Sequence, residues 1–202
     1  MLATGNAGKL REIREMLAEF GSEIVAQSEF GVPPADESGG SFAENALLKA
    51  RHAAEHTGLP AIADDSGLCV DALGGRPGVH SARYAGPGAS DRQNLDLLLN
   101  EIGRLGIDRP SASFHCAMVY VGAPDDPDPL LVEASWRGHI VTTPAGENGF
   151  GYDPVFYVPA QGCTSAQLAP EVKNSISHRG LALRALVAAL RRRFGGIELE
   201  VS

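Results

Sequence analysis

The stretch Ala63-Asp64-Asp65-Ser66-Gly67 decides how this chain is built. It follows the apolar residues 59–62 and precedes a glycine-rich segment, so it predicts the end of a buried strand that opens into a turn. Two adjacent carboxylates that leave an apolar run are costly to bury unless a cation meets them, and a metal ion is the usual partner. The alternative is an Asp pair that caps a turn through backbone N–H groups. These five residues alone leave both interpretations open.

The composition bounds the class of protein. With 202 residues, of which 44% are hydrophobic and 21% charged, the chain is expected to form one domain with a substantial core. Its net charge of −8 argues against binding to nucleic acid or to an anionic membrane, since both favour a basic surface.

The cysteines and the apolar segments predict a location. Cys69, Cys116 and Cys163 are widely spaced and odd in number, which is typical of free thiols in a reducing compartment. The sequence shows neither a signal segment nor an apolar run of membrane-spanning length. We therefore expect a cytoplasmic protein.

The N-terminal segment predicts a phosphate-binding turn. A short apolar stub is followed by Thr4, Gly5, Asn6, Ala7, Gly8 and Lys9, and then by a helix with Leu10, Ile13, Met16, Leu17 and Phe20 at helical spacing. A strand, a glycine-containing turn and a helix start present backbone N–H groups to phosphate. The alternative is an ordinary strand-to-helix turn with a solvated lysine.

A loop that combines glycine with aromatic residues predicts a contact with a ring. Phe150, Gly151, Tyr152 and Asp153 form a loop in which glycine permits close approach and an aromatic side chain can stack on a base. The alternative is a loop held in place by aromatic side chains packed into the core.

Three cationic candidates stand near the last helix: Lys173, His178 and Arg179. Cations are disfavoured near a helix start, so these side chains are expected to meet a bound anion or a carbonyl-rich ligand.

Acidic side chains complete the predicted site. Mg²⁺ uses a few carboxylates together with water and substrate phosphates, which makes Glu37 and Asp65 plausible partners across a cleft. Because neighbouring strand residues point to opposite faces, Asp64 and Asp65 are expected to divide the work. A phosphate turn, a magnesium site and an aromatic loop together predict a nucleoside triphosphate as ligand.

Six motifs cover nearly the whole chain in order: Thr4-Gly5-Asn6-x-x-Lys9, Ser41-Phe42-x-Glu44-Asn45-Ala46-x-x-Lys49-Ala50, Ala63-Asp64-Asp65-Ser66-Gly67-Leu68, Pro77-Gly78-x-x-Ser81-Ala82-Arg83-Tyr84, Gly149-Phe150-Gly151-Tyr152-Asp153-Pro154 and Ser177-His178-Arg179-Gly180. Together they resemble the motif set of the inosine triphosphate pyrophosphatase family, also called XTP/dITP diphosphatases. The departures are a short first strand and a tail from Gly195 to Ser202.

The resemblance implies an α/β fold with a mixed central sheet, flanking helices and two lobes around an active-site cleft, formed by residues 1–202 as a single domain and usually paired as a homodimer. It implies Mg²⁺-dependent hydrolysis of ITP, dITP and XTP to the monophosphate and pyrophosphate. By the same resemblance, residues Thr4 to Lys9 hold the triphosphate, Glu37 and Asp65 hold Mg²⁺, and Asp65 also activates water. Ser66 contacts the substrate, and the base pocket comprises Phe150, Gly151, Tyr152, Asp153, Lys173, His178 and Arg179.

Three alternatives stay open from the sequence. One is a related pyrophosphatase for other modified or pyrimidine nucleotides, and a second is a nucleotide sensor without catalysis. A third is a phosphatase with an Asp nucleophile, for which the Asp pair alone could be mistaken.

Overall fold

A computed structural model describes residues 1–18 and 25–195 of the chain. Phe20, which we expected on the inner face of the first helix, and most of the C-terminal tail lie outside these described residues. Among them, no helix combines the length and the apolar content needed to cross a membrane.

The described residues form one six-stranded sheet with helices on both faces, as the predicted fold class requires. The strands are β1 (Leu2–Ala3), β2 (Ala61–Val70), β3 (Ser111–Val121), β4 (Leu130–Ile140), β5 (Phe156–Val158) and β6 (Cys163–Thr164). The helices are α1 (Ala7–Ala18), α2 (Phe42–Thr57), α3 (Asp91–Leu105), α4 (Pro170–Ile176) and α5 (His178–Phe194). The predicted division into two lobes stays a prediction.

The sheet is mixed because its first strand runs differently from the others. The strands follow one another in sequence order, with β1 parallel to β2 and every later pair antiparallel. Parallel pairing needs a crossover connection, and the segment that contains α1 and α2 provides it. Because Ala3 of the two-residue β1 pairs with Ala63, the turn after Ala3 lies beside the Asp pair of β2.

Three apolar clusters surround the sheet and fix its faces. Small side chains of α2, from Ala46 to Ala54, pack on Ala61 and Ala63 of β2. On the other face, Leu183 and Leu186 of α5 pack with Ile13 of α1. A third cluster lies under α3 and contains Phe114, Trp136 and Phe156.

The prediction for the Asp pair was wrong in one respect. Asp64 and Asp65 lie within the ten-residue strand β2, opposite Met118 and Ala117 of β3, and the strand continues to Val70. Gly67 is a strand residue opposite His115 rather than a turn residue, and it is small because a Cβ there would overlap the Gly78 carbonyl and the Ser81 hydroxyl. The strand can include both carboxylates because each of them contacts cationic side chains: Asp64 on one face of the sheet and Asp65 on the other.

Candidate active site

A cleft of about 380 Å³ opens where β2, the turn before α1 and the C-terminal helices meet. The predicted site residues that line it are Thr4, Gly5, Asn6, Lys9, Glu37, Asp65, Ser66, Phe150, Gly151, Tyr152, Asp153, Lys173, His178 and Arg179. Ala7 and Gly8 belong to the first turn of α1. The fold thus collects side chains from both ends of the chain into one cavity.

The turn before α1 is organised by its own side chains. The Thr4 hydroxyl accepts a hydrogen bond from the Asn6 N–H (3.2 Å), and the Asn6 carbonyl Oδ1 accepts one from the Lys9 N–H (3.0 Å). Asn6 therefore caps α1, while the N–H groups of Ala7 and Gly8 belong to a first turn that has no partner within the helix. Such a helix start binds anions, and no acidic residue in that turn opposes it.

Asp65 faces α2 and shares a lysine with Glu37. The Lys49 ammonium lies 2.7 Å from Asp65 Oδ1 and 3.3 Å from Glu37 Oε1. Arg83 NH1 contacts the other oxygen of Glu37 at 2.8 Å. Burial alone raises the pKa of Glu37, but the charge of Lys49 and the hydrogen bonds from Arg83 and Lys49 lower it below its usual value. Glu37 is therefore available as an anion.

The loop that carries Glu37 is also tied to Asp65 through α2. Asn45 is fully buried, and its Oδ1 accepts a hydrogen bond from the Gly39 N–H at 2.8 Å. Its Nδ2 donates to Asp65 Oδ2 at 3.4 Å. The Asn45 side chain thus holds the loop that carries Glu37 next to the carboxylate of Asp65.

These carboxylates fit a divalent metal ion. Glu37 and Asp65 already converge on one cation, the Lys49 ammonium, so their positions suit a positive charge between them. Among residues 1–18 and 25–195, no group of three or more His, Cys, Asp or Glu side chains could hold a metal. Mg²⁺ needs only one or two carboxylates when water and substrate phosphates complete its shell. The donor set therefore suits an ion that binds with its substrate.

Asp64 points to the opposite face of the sheet and contacts different cations. It is 1% exposed, and its Oδ2 lies 3.1 Å from the Lys9 ammonium and 3.6 Å from Arg179 Nε. Burial opposes its ionisation, but the charges of Lys9, Arg179 and Lys49 hold the pKa of Asp64 far below its usual value. Asp65 thus lines the cavity, while Asp64 contacts the Lys9 and Arg179 side chains from outside it, and the division of roles between them stays a prediction.

The cations of the C-terminal helices are paired with protein carboxylates. Glu12 of α1 receives the Lys173 ammonium at 2.8 Å on one oxygen and Arg179 NH1 on the other. Lys173 also contacts Asp153 at 2.6 Å. Buried carboxylates of the chain thus compensate these charges, and the expected contact with a bound anion or a carbonyl-rich ligand stays a prediction. The result is an alternating row of charges, Asp153, Lys173, Glu12 and Arg179, along the wall of the cleft.

The two aromatic side chains of the 150–153 loop have different environments. Tyr152 is buried, and its hydroxyl donates to the Ser81 carbonyl at 2.8 Å, so it holds the loop to the core. The Phe150 ring lies 5.4 Å from the Lys173 ammonium and 5.5 Å from the Arg179 guanidinium. A Cβ on Gly8 would come within 2.7 Å of that ring, so the phosphate turn and Phe150 are in direct contact. Phe150 is therefore the better placed of the two to stack on a base.

His178 is buried beside the same cations. Its ring stacks on Phe114 at 4.8 Å and lies 6.4 Å from Trp136, and its Nδ1 has no hydrogen-bond partner among the described residues. Burial, together with the charges of Arg179 and Lys173, holds the pKa of His178 well below its usual value. The imidazole is therefore neutral at pH 7.

These pKa shifts predict that the free energy of unfolding falls in two stages as the pH is lowered. An unfolded chain binds a proton on His178 near pH 6.5 that the folded protein does not bind, so the free energy of unfolding falls below about that pH. Glu12 and Asp64 have lowered pKa values, so their contribution is present above about pH 4.5 and is lost as the pH falls through their folded values. Urea unfolding between pH 8 and pH 3, followed by the fluorescence of Trp136, measures both stages.

The substitution His178→Gln is the control for the first stage. Because glutamine does not titrate, this variant is expected to lose less stability between pH 7 and pH 5 than the unaltered protein. A free energy of unfolding that stays constant from pH 7 to pH 3 would contradict the assignment of both stages.

Three residues that contact the predicted site residues were not predicted from the sequence. Lys49 joins Glu37 to Asp65, Arg83 holds Glu37, and Glu12 pairs the two C-terminal cations. A signal existed for Lys49, since Asn45 and Lys49 are spaced four residues apart among the small residues that α2 buries. Glu12 carried a similar signal beside the buried Ile13. Arg83 belongs to one of the six motifs, but the sequence did not indicate its partner Glu37, which lies 46 residues away.

The mixed sheet and this cleft define an α/β protein that presents a helix start, lysines and paired carboxylates to one ligand, which is the class of proteins that handle phosphorylated substrates. The chain belongs to the Ham1 family, because the model of that family matches residues 1–189. The resemblance stated from the sequence motifs is thereby confirmed.

Curated relatives and solved structures agree with this membership. Proteins named dITP/XTP pyrophosphatase from Yersinia pseudotuberculosis and Pectobacterium atrosepticum are 56% and 58% identical over 191 residues, which cover 95% of this chain and 97% of theirs. The structure of a HAM1 protein from Coxiella burnetii has a TM-score of 0.86 at 48% identity. The Staphylococcus aureus Ham1 protein has a TM-score of 0.82 at 40% identity. Both structural matches cover 95% of this chain and 97% of the other, which confirms the α/β fold class.

Proposed function

We propose that this chain hydrolyses deaminated purine nucleoside triphosphates, namely ITP, dITP and XTP, to the monophosphate and pyrophosphate in a Mg²⁺-dependent reaction. The family and the names of its relatives make it a nucleoside triphosphate pyrophosphatase, a hydrolase of phosphoanhydrides. The observation that carries the proposal is that one cavity contains the phosphate turn, the Glu37–Asp65 pair and Phe150.

The phosphate end of the cavity supplies positive charge and a general base. Glu37 and Asp65 would hold the divalent ion, which neutralises negative charge on the phosphates when it is bound. Lys9 and the N–H groups of the first turn of α1 bind and orient the triphosphate. Asp65 accepts the proton of the attacking water and directs its oxygen toward phosphorus. Lys49, which contacts both carboxylates, keeps them aligned.

The other end of the cavity selects the purine ring of the nucleotide. Hypoxanthine and xanthine carry a 6-oxo acceptor where adenine carries an amino donor. Lys173, His178 and Arg179 line this end, and a protein N–H group left facing an amino group costs about 1–3 kcal/mol. Lys173 and Arg179 are held in place by Glu12, so they act as fixed donors and as a fixed positive field, while Phe150 stacks on the ring.

The same proposal covers the assembly and the location. We expect residues 1–202 to act as a single domain in a cytoplasmic protein. We also expect the protein to form a homodimer, and sedimentation velocity would measure this oligomeric state. Cys69, Cys116 and Cys163 are free thiols, as a reducing compartment requires. The substrate is a small nucleotide, and the net charge of −8 argues against partners that favour a basic surface, such as nucleic acid or an anionic membrane.

A substrate panel tests the proposal. ITP, dITP, XTP, GTP, ATP, dUTP and dTTP are incubated with the protein, with Mg²⁺ or with a chelator, and the products are identified. We expect inosine and xanthosine monophosphates with pyrophosphate, and only with the metal. Faster turnover of GTP, dUTP or dTTP would favour a related pyrophosphatase, and release of orthophosphate would favour a phosphatase. Binding of ITP without product would favour a sensor.

A further inference from the structure

We propose that Asp91, the first residue of α3, is a positioning residue that fixes the 150–153 loop over the cleft and so sets the affinity for the nucleotide base. The inference rests on the function proposed above, because it concerns the same cavity. It adds a residue outside all six sequence motifs.

The contact that supports this role joins distant parts of the chain. Asp91 Oδ2 accepts a hydrogen bond from the Gly151 N–H at 2.9 Å, across 60 residues of sequence. Both residues line the cavity. Gly151 has a φ of 60°, in the left-handed region, so its N–H is presented from a turn that side chains rarely adopt. A carboxylate that holds this N–H therefore holds the middle of the loop.

Helix capping does not account for Asp91. Ser90 already caps α3: its hydroxyl accepts from the Gln93 N–H, and the Gln93 side chain accepts from the Ser90 N–H at 2.9 Å. The capping box satisfies the helix start without Asp91. A carboxylate in the first turn also interacts favourably with the helix dipole, and the experiment below separates that contribution.

The loop has other attachments, but they hold different points. The Phe150 N–H donates to Asp153 Oδ2 at 2.9 Å, which is a bond within the loop. The Tyr152 hydroxyl donates to the Ser81 carbonyl on the core side. Asp91 provides the attachment of Gly151 to α3. Without it, Phe150 would lose its fixed position between the phosphate turn and the two cations.

The expected effect is on binding rather than on chemistry. The contacts among Asp65, Glu37 and Lys49 involve β2, α2 and the loop before α2, and none of them involves α3. A loosened loop therefore weakens stacking on the base, while water activation is unchanged. This predicts a change in KM without a matching change in kcat.

The test compares Asp91→Ala with Asp91→Asn. Asparagine keeps an oxygen that accepts the Gly151 N–H but removes the charge, so the two variants separate the hydrogen bond from the helix dipole. For ITP with Mg²⁺, we expect Asp91→Ala to raise KM about tenfold with kcat within about twofold, since bonds to charged groups contribute on this scale. Asp91→Asn is expected to restore KM to within about threefold. Asp96→Ala is the matched control, because Asp96 lies on the same helix and pairs only with Arg92 in the described contacts.

A second measurement does not depend on activity. Hydrogen–deuterium exchange of the peptide that contains Gly151, without nucleotide, should be slow in the unaltered protein and in Asp91→Asn but faster in Asp91→Ala. Equal exchange in all three proteins, or a KM for Asp91→Ala equal to that of the control, would overturn the proposal. Equal losses in both Asp91 variants would assign the effect to charge and would also overturn it. If no nucleotide is hydrolysed, the exchange result still decides the role of Asp91, so the two proposals fail separately.

Discussion

Replacing Asp65 by Asn is expected to lower kcat for ITP by about 10²- to 10⁴-fold, because a positioned general base contributes on that scale. The substitution also weakens the binding of a divalent ion, since it removes one of the two charges that converge on Lys49. The amide has nearly the same shape as the carboxylate, and its oxygen can still accept from Lys49. Pyrophosphate release under saturating Mg²⁺ and ITP measures the loss.

The fold must be shown to survive this change. Circular dichroism and urea unfolding should give a variant close to the unaltered protein. Asp71→Asn is a suitable control, because Asp71 follows the same strand, is exposed, and lies outside the cleft. Turnover near the native rate in Asp65→Asn would refute Asp65 as the base.

Replacing Glu12 by Gln is expected to lower the free energy of unfolding by about 3–5 kcal/mol, the usual cost of removing one partner from a buried charge pair. Glu12 is 7% exposed and sits between Lys173 and Arg179, which are 4% and 3% exposed. The amide would leave two buried cations with one negative charge fewer. Urea unfolding at pH 7 measures the difference.

The matched control is Glu15→Gln on the same helix, where the side chain is exposed. We expect that change to stay within about 0.5 kcal/mol, as is usual for surface substitutions. If the two variants had equal stability, the buried row of charges would not be a major stabilising feature of the fold.

Much of the architecture followed from local sequence. The capping signals at Ser41 and Ser90 begin α2 and α3, and Gly58 ends α2 in the left-handed conformation. The acidic, proline-rich segment 123–129 lies between β3 and β4, as its composition predicts for a hairpin loop. These features depend on a few neighbouring residues, so the sequence contains enough information to predict them.

The sequence by itself also determined the family, the fold class and many of the residues that line the cleft, because six motifs contain most of these residues. Only the tertiary structure decided what each charge meets. Glu12 and Arg179 are 167 residues apart in sequence, and Asp64 and Lys9 are 55 apart, yet each pair is in contact. The Asp pair looked like a strand end because, without partners, two carboxylates cannot remain inside a sheet. Lys9 and Arg179 on one face and Lys49 on the other supply those partners, so β2 continues past Asp64 and Asp65 with one of them in the cleft.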